Sequence, residues 1–175
     1  IFKKMTVVPD GKNHGLLFLL DWSGSMANEI LATVKQVINL SAFCKKVQIP
    51  FEVYAFTNDW IMAERAMQNT AGNDDFYIPD SYDYTGIEKN TVYIHNNYFH
   101  LVNVVSSRSN GKDFERMCKN LFREAHYYRN YSGYRQTPGL SLSGTPLNEA
   151  VIMMNYIIPE FKQQNDLQKV NLCIL

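Results

Sequence analysis

Residues 16–25 read LLFLLDWSGS, and this stretch decides the fold expected for the chain. The apolar run over residues 16–20 is continuous rather than alternating, which is typical of a strand buried on both faces in the middle of a parallel sheet. The run ends at Asp21, and a loop with two serines and one glycine follows it. In an open α/β sheet, ligands bind at the loops that leave the carboxyl ends of the strands. The stretch therefore predicts a central strand with a candidate site at its end.

The composition is that of one soluble globular domain. The 175 residues are 46% hydrophobic and 19% charged, with 17 basic and 17 acidic side chains, which excludes a disordered tail, a collagen and a disulfide mini-protein. No apolar stretch approaches the roughly 18–20 residues that cross a bilayer, and no signal segment opens the chain. Because Cys44, Cys118 and Cys173 lack CxxC spacing, we expect buried, reduced thiols and a cytoplasmic location.

Strand and helix patterns alternate outward from residues 16–20. The spacing of apolar residues predicts helices over 28–46 and 112–128 and strands over 51–56, 91–94, 99–105 and 170–175. A further helix is expected to begin with Thr145 as its cap and Pro146 at its first position, and to be kinked or interrupted at Pro159. The pattern predicts an α/β domain with three layers, in which helices cover both faces of a mostly parallel sheet.

Charge is distributed unevenly, although the net charge is zero. Residues 57–90 carry seven acidic and two basic side chains without helix or strand periodicity, so we expect an irregular acidic insertion there. Tyrosine and arginine alternate over residues 127–135, a mixture suited either to stacking on nucleic-acid bases or to packing at a helix end. The zero net charge favours packing, and no nucleic-acid partner is expected.

Asp21, Ser23 and Ser25 form the candidate site. One carboxylate and two hydroxyls at positions i, i+2 and i+4, on a turn loosened by Gly24, can converge on a single point. Oxygen-only ligands suit a hard cation such as Mg²⁺. The alternative is that these residues only cap the next helix. A second hydroxyl-rich loop, SLSGTP at residues 141–146, favours the metal interpretation.

Catalytic sites fit the sequence less well. A phosphatase of the haloacid dehalogenase type needs a second aspartate where Ser23 stands. The chain has no G-x-S-x-G serine elbow and no HExxH zinc motif, and its four histidines are scattered. No nucleophile and base pair can be assigned, so we expect no catalytic residues and no hydrolytic activity of the chain alone.

Residues 21–26 (DWSGSM) after an apolar strand, with residues 143–147 (SGTPL) before a later helix, resemble the von Willebrand factor A (VWA) domain and its metal-ion-dependent adhesion site (MIDAS). Within that superfamily the chain is most similar to the cobaltochelatase CobT type, including relatives carried by tailed bacteriophages. Residues 13–15 (NHG), 44–56 (CKKVQIPFEVYAF) and 144–150 (GTPLNEA) carry this closer similarity. The resemblance implies a single VWA domain over residues 1–175 with a three-layer Rossmann-like fold.

The resemblance also implies a ligand set. Ser23 and Ser25 would bind Mg²⁺ (or Mn²⁺) directly, Asp21 directly or through water, and Thr145 from the second loop. The cation would then bind an Asp or Glu of a partner protein. Trp22 is expected to pack under the loop or, with Gly144, to form a rim that contacts the partner. The family has a third loop, usually Thr-Asp-Gly, and because the sequence stops at Leu175 we expect a truncated domain with an incomplete site.

Two functions remain open at this point. One is a metal-dependent protein-binding module. The alternative is a subunit of an ATP-dependent cobaltochelatase-like or AAA+ remodelling complex, CobT-like, as in cobalamin biosynthesis, with a CobS-like AAA+ ATPase as partner. Both would act in the cytoplasm of a bacterium or of a phage-infected host cell.

Overall fold

The computed structural model describes residues 13–58, 99–130, 137 and 139–175. These residues form four strands, three α-helices and one short 3₁₀ helix. In chain order they are β1 (His14–Asp21), the 3₁₀ helix (Gly24–Asn28), α1 (Ile30–Lys46), β2 (Phe51–Asn58), β3 (Phe99–Ser106), α2 (Gly111–Asn130), α3 (Leu147–Gln164) and β4 (Lys169–Ile174).

The four strands form one mixed sheet in the order β3-β2-β1-β4. β1 is parallel to both of its neighbours, with Leu16 opposite Phe51 of β2 and Asn171 of β4. β2 and β3 pair in antiparallel fashion, with an irregularity in the register between Val53 and Tyr54. The α/β class predicted from the sequence is confirmed, and the arrangement is compatible with a Rossmann-like fold.

β1 is buried on both faces, as its continuous apolar run predicts. Successive side chains of a strand point to opposite faces, and the two sets enter different hydrophobic clusters. Phe18 and Leu20 pack in a cluster with side chains of α1 and α2. Leu17 and Leu19 pack in a second cluster with side chains of α3. Helices therefore cover both faces of this strand.

A buried carboxylate connects β2 with β3. Glu52 is 1% exposed, and its side chain accepts hydrogen bonds from Asn103 Nδ2 at 2.8 Å, Ser106 Oγ at 2.9 Å and Arg108 Nε at 3.0 Å. A buried charge is tolerated when it is paired and fully hydrogen-bonded. Glu52 and its three donors thus hold β2 and β3 together at the end of the sheet that lies opposite the carboxyl end of β1.

The helix starts differ from the sequence prediction. α1 begins at Ile30 because residues 24–28 form the 3₁₀ helix, in which Met26 N–H donates to the Ser23 carbonyl at 3.1 Å. α3 begins at Leu147, and no side chain caps it. The expectation that the Thr145 hydroxyl caps α3 is therefore wrong. α3 also continues through Pro159, which lies at the surface, where a carbonyl without its helical donor is not buried. The predicted interruption is therefore wrong, and the predicted kink stays a prediction.

Several predictions fall outside the described residues. The acidic insertion at residues 57–90 lies there except for its first two positions, which continue β2 as far as Asn58. The predicted strand over 91–94 lies there as well. The predicted strand over 99–105 is confirmed as β3.

The cysteines are free, and Cys44 and Cys118 are buried. No helix in the described part of the chain is long and apolar enough to cross a membrane.

Candidate metal centre

Two serine hydroxyls meet at the carboxyl end of β1. β1 ends at Asp21, and residues 22–25, the first loop, lead into the 3₁₀ helix. The Ser23 and Ser25 hydroxyl oxygens lie 3.0 Å apart. Ser23 is 1% exposed while Ser25 lies at the surface. The predicted convergence of these two side chains is thus present in the structure.

Asp21 carries a buried oxygen atom without a partner. Its Oδ1 is shielded from solvent and accepts no hydrogen bond, while its backbone N–H donates to the Leu175 carbonyl at 2.8 Å. A buried carboxylate oxygen without a donor costs free energy, and such an orphaned atom in a native fold calls for a missing counterpart. A bound cation supplies that counterpart, so the residue fits a metal site.

The second loop, residues 139–146, is joined to the first loop by the backbone. Ser143 forms a parallel bridge with Ser23, and Gly24 N–H donates to the Ser143 carbonyl at 2.7 Å. The Thr57 hydroxyl, near the end of β2, donates to the Ser141 carbonyl at 2.8 Å. The ends of two adjacent parallel strands therefore hold the hydroxyl-rich segment in place beside Ser23.

Gly144 lies close to a side chain of β2. A Cβ atom at this position would lie 2.7 Å from Asn58 Nδ2, at the end of β2. Any side chain would push the second loop away from β2 or displace Asn58. Gly144 is partly exposed, and whether it contacts a partner stays a prediction.

Thr145 is the predicted ligand whose side chain makes no contact with the others that the structure records. It is exposed and lies two residues after the bridge at Ser143. Among the described residues, its hydroxyl makes no hydrogen bond to Asp21, Ser23 or Ser25. The Thr145 hydroxyl also makes no capping hydrogen bond to α3.

Trp22 is fully buried, at 0% exposure. Its indole Nε1–H donates to the Leu140 carbonyl at 2.7 Å, and its ring meets Tyr128 edge to face at 6.0 Å between centroids. The expectation that Trp22 packs under the loop is confirmed. The expectation that it forms part of a partner-contacting rim is wrong, since the side chain has no surface to offer.

Sequence reasoning missed the residues of α2 that hold the second loop. Tyr128 Oη donates to the same Leu140 carbonyl at 2.5 Å, and both oxygens of the Glu124 carboxylate accept bonds from Thr137. Burial, and next the charge of Glu124, raise the pKa of Tyr128 above its ordinary value, so the hydroxyl stays a donor even in alkaline solution in which a free tyrosine ionises. Tyr128 belongs to the tyrosine and arginine mixture, for which packing was the favoured interpretation.

The chemistry of the donors is that of hard oxygen ligands. In the ranges that the structure describes, no three His, Cys, Asp or Glu side chains come together, so those residues offer no cluster of the kind that binds zinc. One carboxylate and several hydroxyls are the ligands that Mg²⁺ accepts while it keeps some of its waters. Asp21, Ser23 and Ser25 would hold such an ion, with Thr145 entering from the second loop.

The fold and the site define a class: an α/β protein with a hydroxyl-rich pair of loops at the carboxyl end of its central strand. Comparison of the chain with protein-family models, with curated proteins and with solved structures finds no match.

Proposed function

We propose that this protein is a metal-dependent protein-binding module of the VWA type, with a three-layer fold and a MIDAS-like site. One observation carries the proposal: Asp21 Oδ1 is buried without a partner, two residues before Ser23, whose hydroxyl meets that of Ser25. The backbone contacts between the two loops support it, because they bring a second hydroxyl-rich segment to the same edge of the sheet.

The chemistry of binding follows from the charges of the ligands. When bound, Mg²⁺ (or Mn²⁺) supplies a positive centre with exchangeable water positions. Asp21 is the single carboxylate of the set, and the hydroxyls of Ser23, Ser25 and Thr145 are neutral, so the ligands leave the site electropositive. An Asp or Glu side chain of a partner protein is the matching group. The chain orients that carboxylate, and the proposal assigns it no catalytic residue.

Metal binding is the first test. The full-length protein is titrated with Mg²⁺ and Mn²⁺ by isothermal titration calorimetry, beside Ser25→Ala and Thr145→Ala. Both replaced side chains are exposed, so the variants should fold, and loss of a ligand is expected to weaken binding by about 10- to 100-fold or more. Ser109→Ala is the matched control, because Ser109 lies beyond the end of β3, at the opposite edge of the sheet. Equal affinity in all four proteins would refute the site.

Partner binding is the second test. The full-length protein is used to capture proteins from its host lysate with Mg²⁺, with EDTA, and as the Thr145→Ala variant. A partner held only by the wild type with Mg²⁺ is expected, and mutation of an exposed Asp or Glu in that partner should abolish capture. A partner retained equally under all three conditions would mean that the metal does not bridge the complex.

The role as a CobT-like subunit beside an AAA+ ATPase stays a prediction from the resemblance. A cytoplasmic location is likewise part of the proposal; the free, buried Cys44 and Cys118 support it, since thiols stay reduced in that compartment. An ATPase gene next to the gene for this chain would favour the chelatase-type assembly over an independent binding module.

A further inference from the structure

α2 holds the approach to the second loop at two points that are one helical turn apart. Glu124 and Tyr128 are separated by four residues and so lie on the same face of α2. Glu124 accepts from the Thr137 backbone N–H at 2.9 Å and from the Thr137 hydroxyl at 2.7 Å. Tyr128 Oη donates to the Leu140 carbonyl at 2.5 Å. Neither residue belongs to the predicted ligand set.

The segment that they hold is a tight turn. Leu140 N–H donates to the Thr137 carbonyl at 3.1 Å, and Gly139 has φ 90°, a conformation that other residues rarely adopt. Glu124 therefore bonds to the first residue of the 137–140 turn, and Tyr128 bonds to the last. Bonds at both ends restrict the position from which the second loop leaves the turn.

The turn is connected to the candidate metal site by short steps. The Leu140 carbonyl also accepts from Trp22 Nε1 at 2.7 Å, so both of its lone pairs are engaged, one by α2 and one by the first loop. Three residues later, the Ser143 carbonyl accepts from Gly24 N–H at 2.7 Å. The same short segment thus contacts α2 at one end and the first loop at the other.

The turn is packed at one end and borders open space at the other. Leu140 is 9% exposed and packs in the hydrophobic cluster that also contains Trp22 and Leu121. A cavity of about 470 Å³ lies between β3 and α2, and Thr137, which is exposed, and Leu140 form part of its wall. The hydrogen bonds to α2 therefore act together with the packing of Leu140 to keep the turn from shifting towards the cavity.

We propose that Tyr128 and Glu124 are positioning residues for the metal site: they hold the 137–140 turn so that the second loop presents its hydroxyls beside Ser23. The inference rests on the proposed function. It adds that α2 and the metal site are coupled, because a metal ion that orders the second loop also favours the bonds of the turn to α2. Coupling of this kind is reciprocal.

The test measures Mg²⁺ affinity in the protein of residues 1–175 carrying Trp60→Phe, in which Trp22 is the remaining tryptophan. Trp22 donates to the Leu140 carbonyl, so its emission reports on the loop directly, and calorimetry gives the affinity independently. Tyr128→Phe removes one hydroxyl and keeps the ring against Trp22. We expect its Mg²⁺ affinity to fall by about three- to tenfold, the loss of one hydrogen bond, and the Mg²⁺-induced change in Trp22 emission to shrink.

Two further variants complete the test. Tyr127→Phe is the matched control, because it removes the same hydroxyl one residue earlier, about 100° around the helix, and its affinity should equal that of the parent. Thr137→Val replaces an exposed side chain and removes one bond to Glu124, so it should weaken Mg²⁺ binding even if Tyr128→Phe fails to fold.

The outcomes separate this inference from the proposed function. Failure of the parent protein to bind Mg²⁺ would overturn both. Binding by the parent, with unchanged affinity and emission in Tyr128→Phe and Thr137→Val, would overturn the positioning role and leave the metal site standing. A drop in melting temperature of these variants without a change in affinity would likewise overturn it, because it would mean that the bonds serve stability alone.

Discussion

Replacing Asp21 by Asn should make the metal-free protein more stable. Asp21 Oδ1 is buried and accepts no hydrogen bond, although the residue as a whole is partly exposed. Leaving a buried polar group unpaired costs about 1–3 kcal/mol, and more when it is charged. Asn has the same shape without the charge but leaves an atom unpaired at the same place, so Asp21→Asn should remove only the charge-dependent part of this cost and raise the free energy of unfolding in EDTA by about 1 kcal/mol or less. Sites that bind ligands often sacrifice stability in this manner.

Magnesium should reverse the order of stability of the wild type and Asp21→Asn. At a metal concentration about 100 times the dissociation constant, a ligand that binds only the folded state adds about 2.7 kcal/mol. The wild type should gain this amount, whereas Asp21→Asn should gain almost none. At this chain length each kcal/mol moves the melting temperature by about 2–4 °C, which differential scanning calorimetry resolves.

The assay is urea unfolding of both proteins in EDTA and in saturating Mg²⁺. Asp166→Asn serves as the control, because it removes the same charge from an exposed residue, near the edge of the sheet opposite the site. Its stability should change little in either buffer. If Asp21→Asn proves less stable than the wild type in EDTA, the carboxylate has a favourable partner in solution, and the argument from the orphaned oxygen is refuted.

Three further predictions concern packing and pH. Gly15→Ala should lower the free energy of unfolding by about 1–3 kcal/mol, because a Cβ there would lie 2.4 Å from Leu167 Cδ1; urea unfolding measures this. Gly144→Ala should destabilise by clashing with Asn58 Nδ2, and Asn58→Ala should relieve that cost in a double-mutant cycle. Because the pKa of Tyr128 is raised in the folded state, its contribution is present below about pH 10, the pKa of an unfolded tyrosine, and is lost as the pH rises further; unfolding followed from pH 8 to 11 should show this loss.

Each of these predictions has a control. Gly111→Ala, where a Cβ would meet nothing within 4 Å, should cost little, and an equal cost in Gly15→Ala would mean that the core relaxes around the new methyl group. A Gly144→Ala penalty that persists in the double mutant would exclude Asn58 as its source. Tyr54 also has a raised pKa through burial and the nearby charge of Glu52, so Tyr128→Phe should remove only part of the alkaline loss. An unchanged pH profile in that variant would contradict the prediction.

The strands and helices that could be predicted are those marked by a pattern of neighbouring residues in the sequence. A continuous apolar run marks β1 because both of its faces are covered, and the spacing of three and four marks α1 and α2 because each buries one stripe. The pairing of Ser23 with Ser25 was equally predictable, since it depends on a turn within five residues.

The rest could not be predicted because it depends on distant parts of the chain. The hydrogen bond between Trp22 and the Leu140 carbonyl spans 118 residues. No neighbouring residue in the sequence therefore indicates that the Trp22 side chain is buried. Burial of Glu52 depends on donors from β3 and beyond, and an isolated glutamate in a strand pattern gives no sign of them. Thr145 followed by Pro146 is a pattern typical of a helix start. The loop before it, however, is bonded to residues at the ends of β1 and β2, which the local pattern does not indicate.

The pairing of β1 with β4 also determines when the site can form. β1 lies between β2 and β4, and the Asp21 N–H is held by the carbonyl of Leu175, at the far end of the sequence. During synthesis the first loop leaves the ribosome more than a hundred residues before the carbonyls of Leu140, Ser143 and Leu175 that hold it. Contacts between such distant segments form slowly, because a long stretch of chain must first be ordered. We therefore expect the nascent chain to acquire the site only after β4 has joined the sheet.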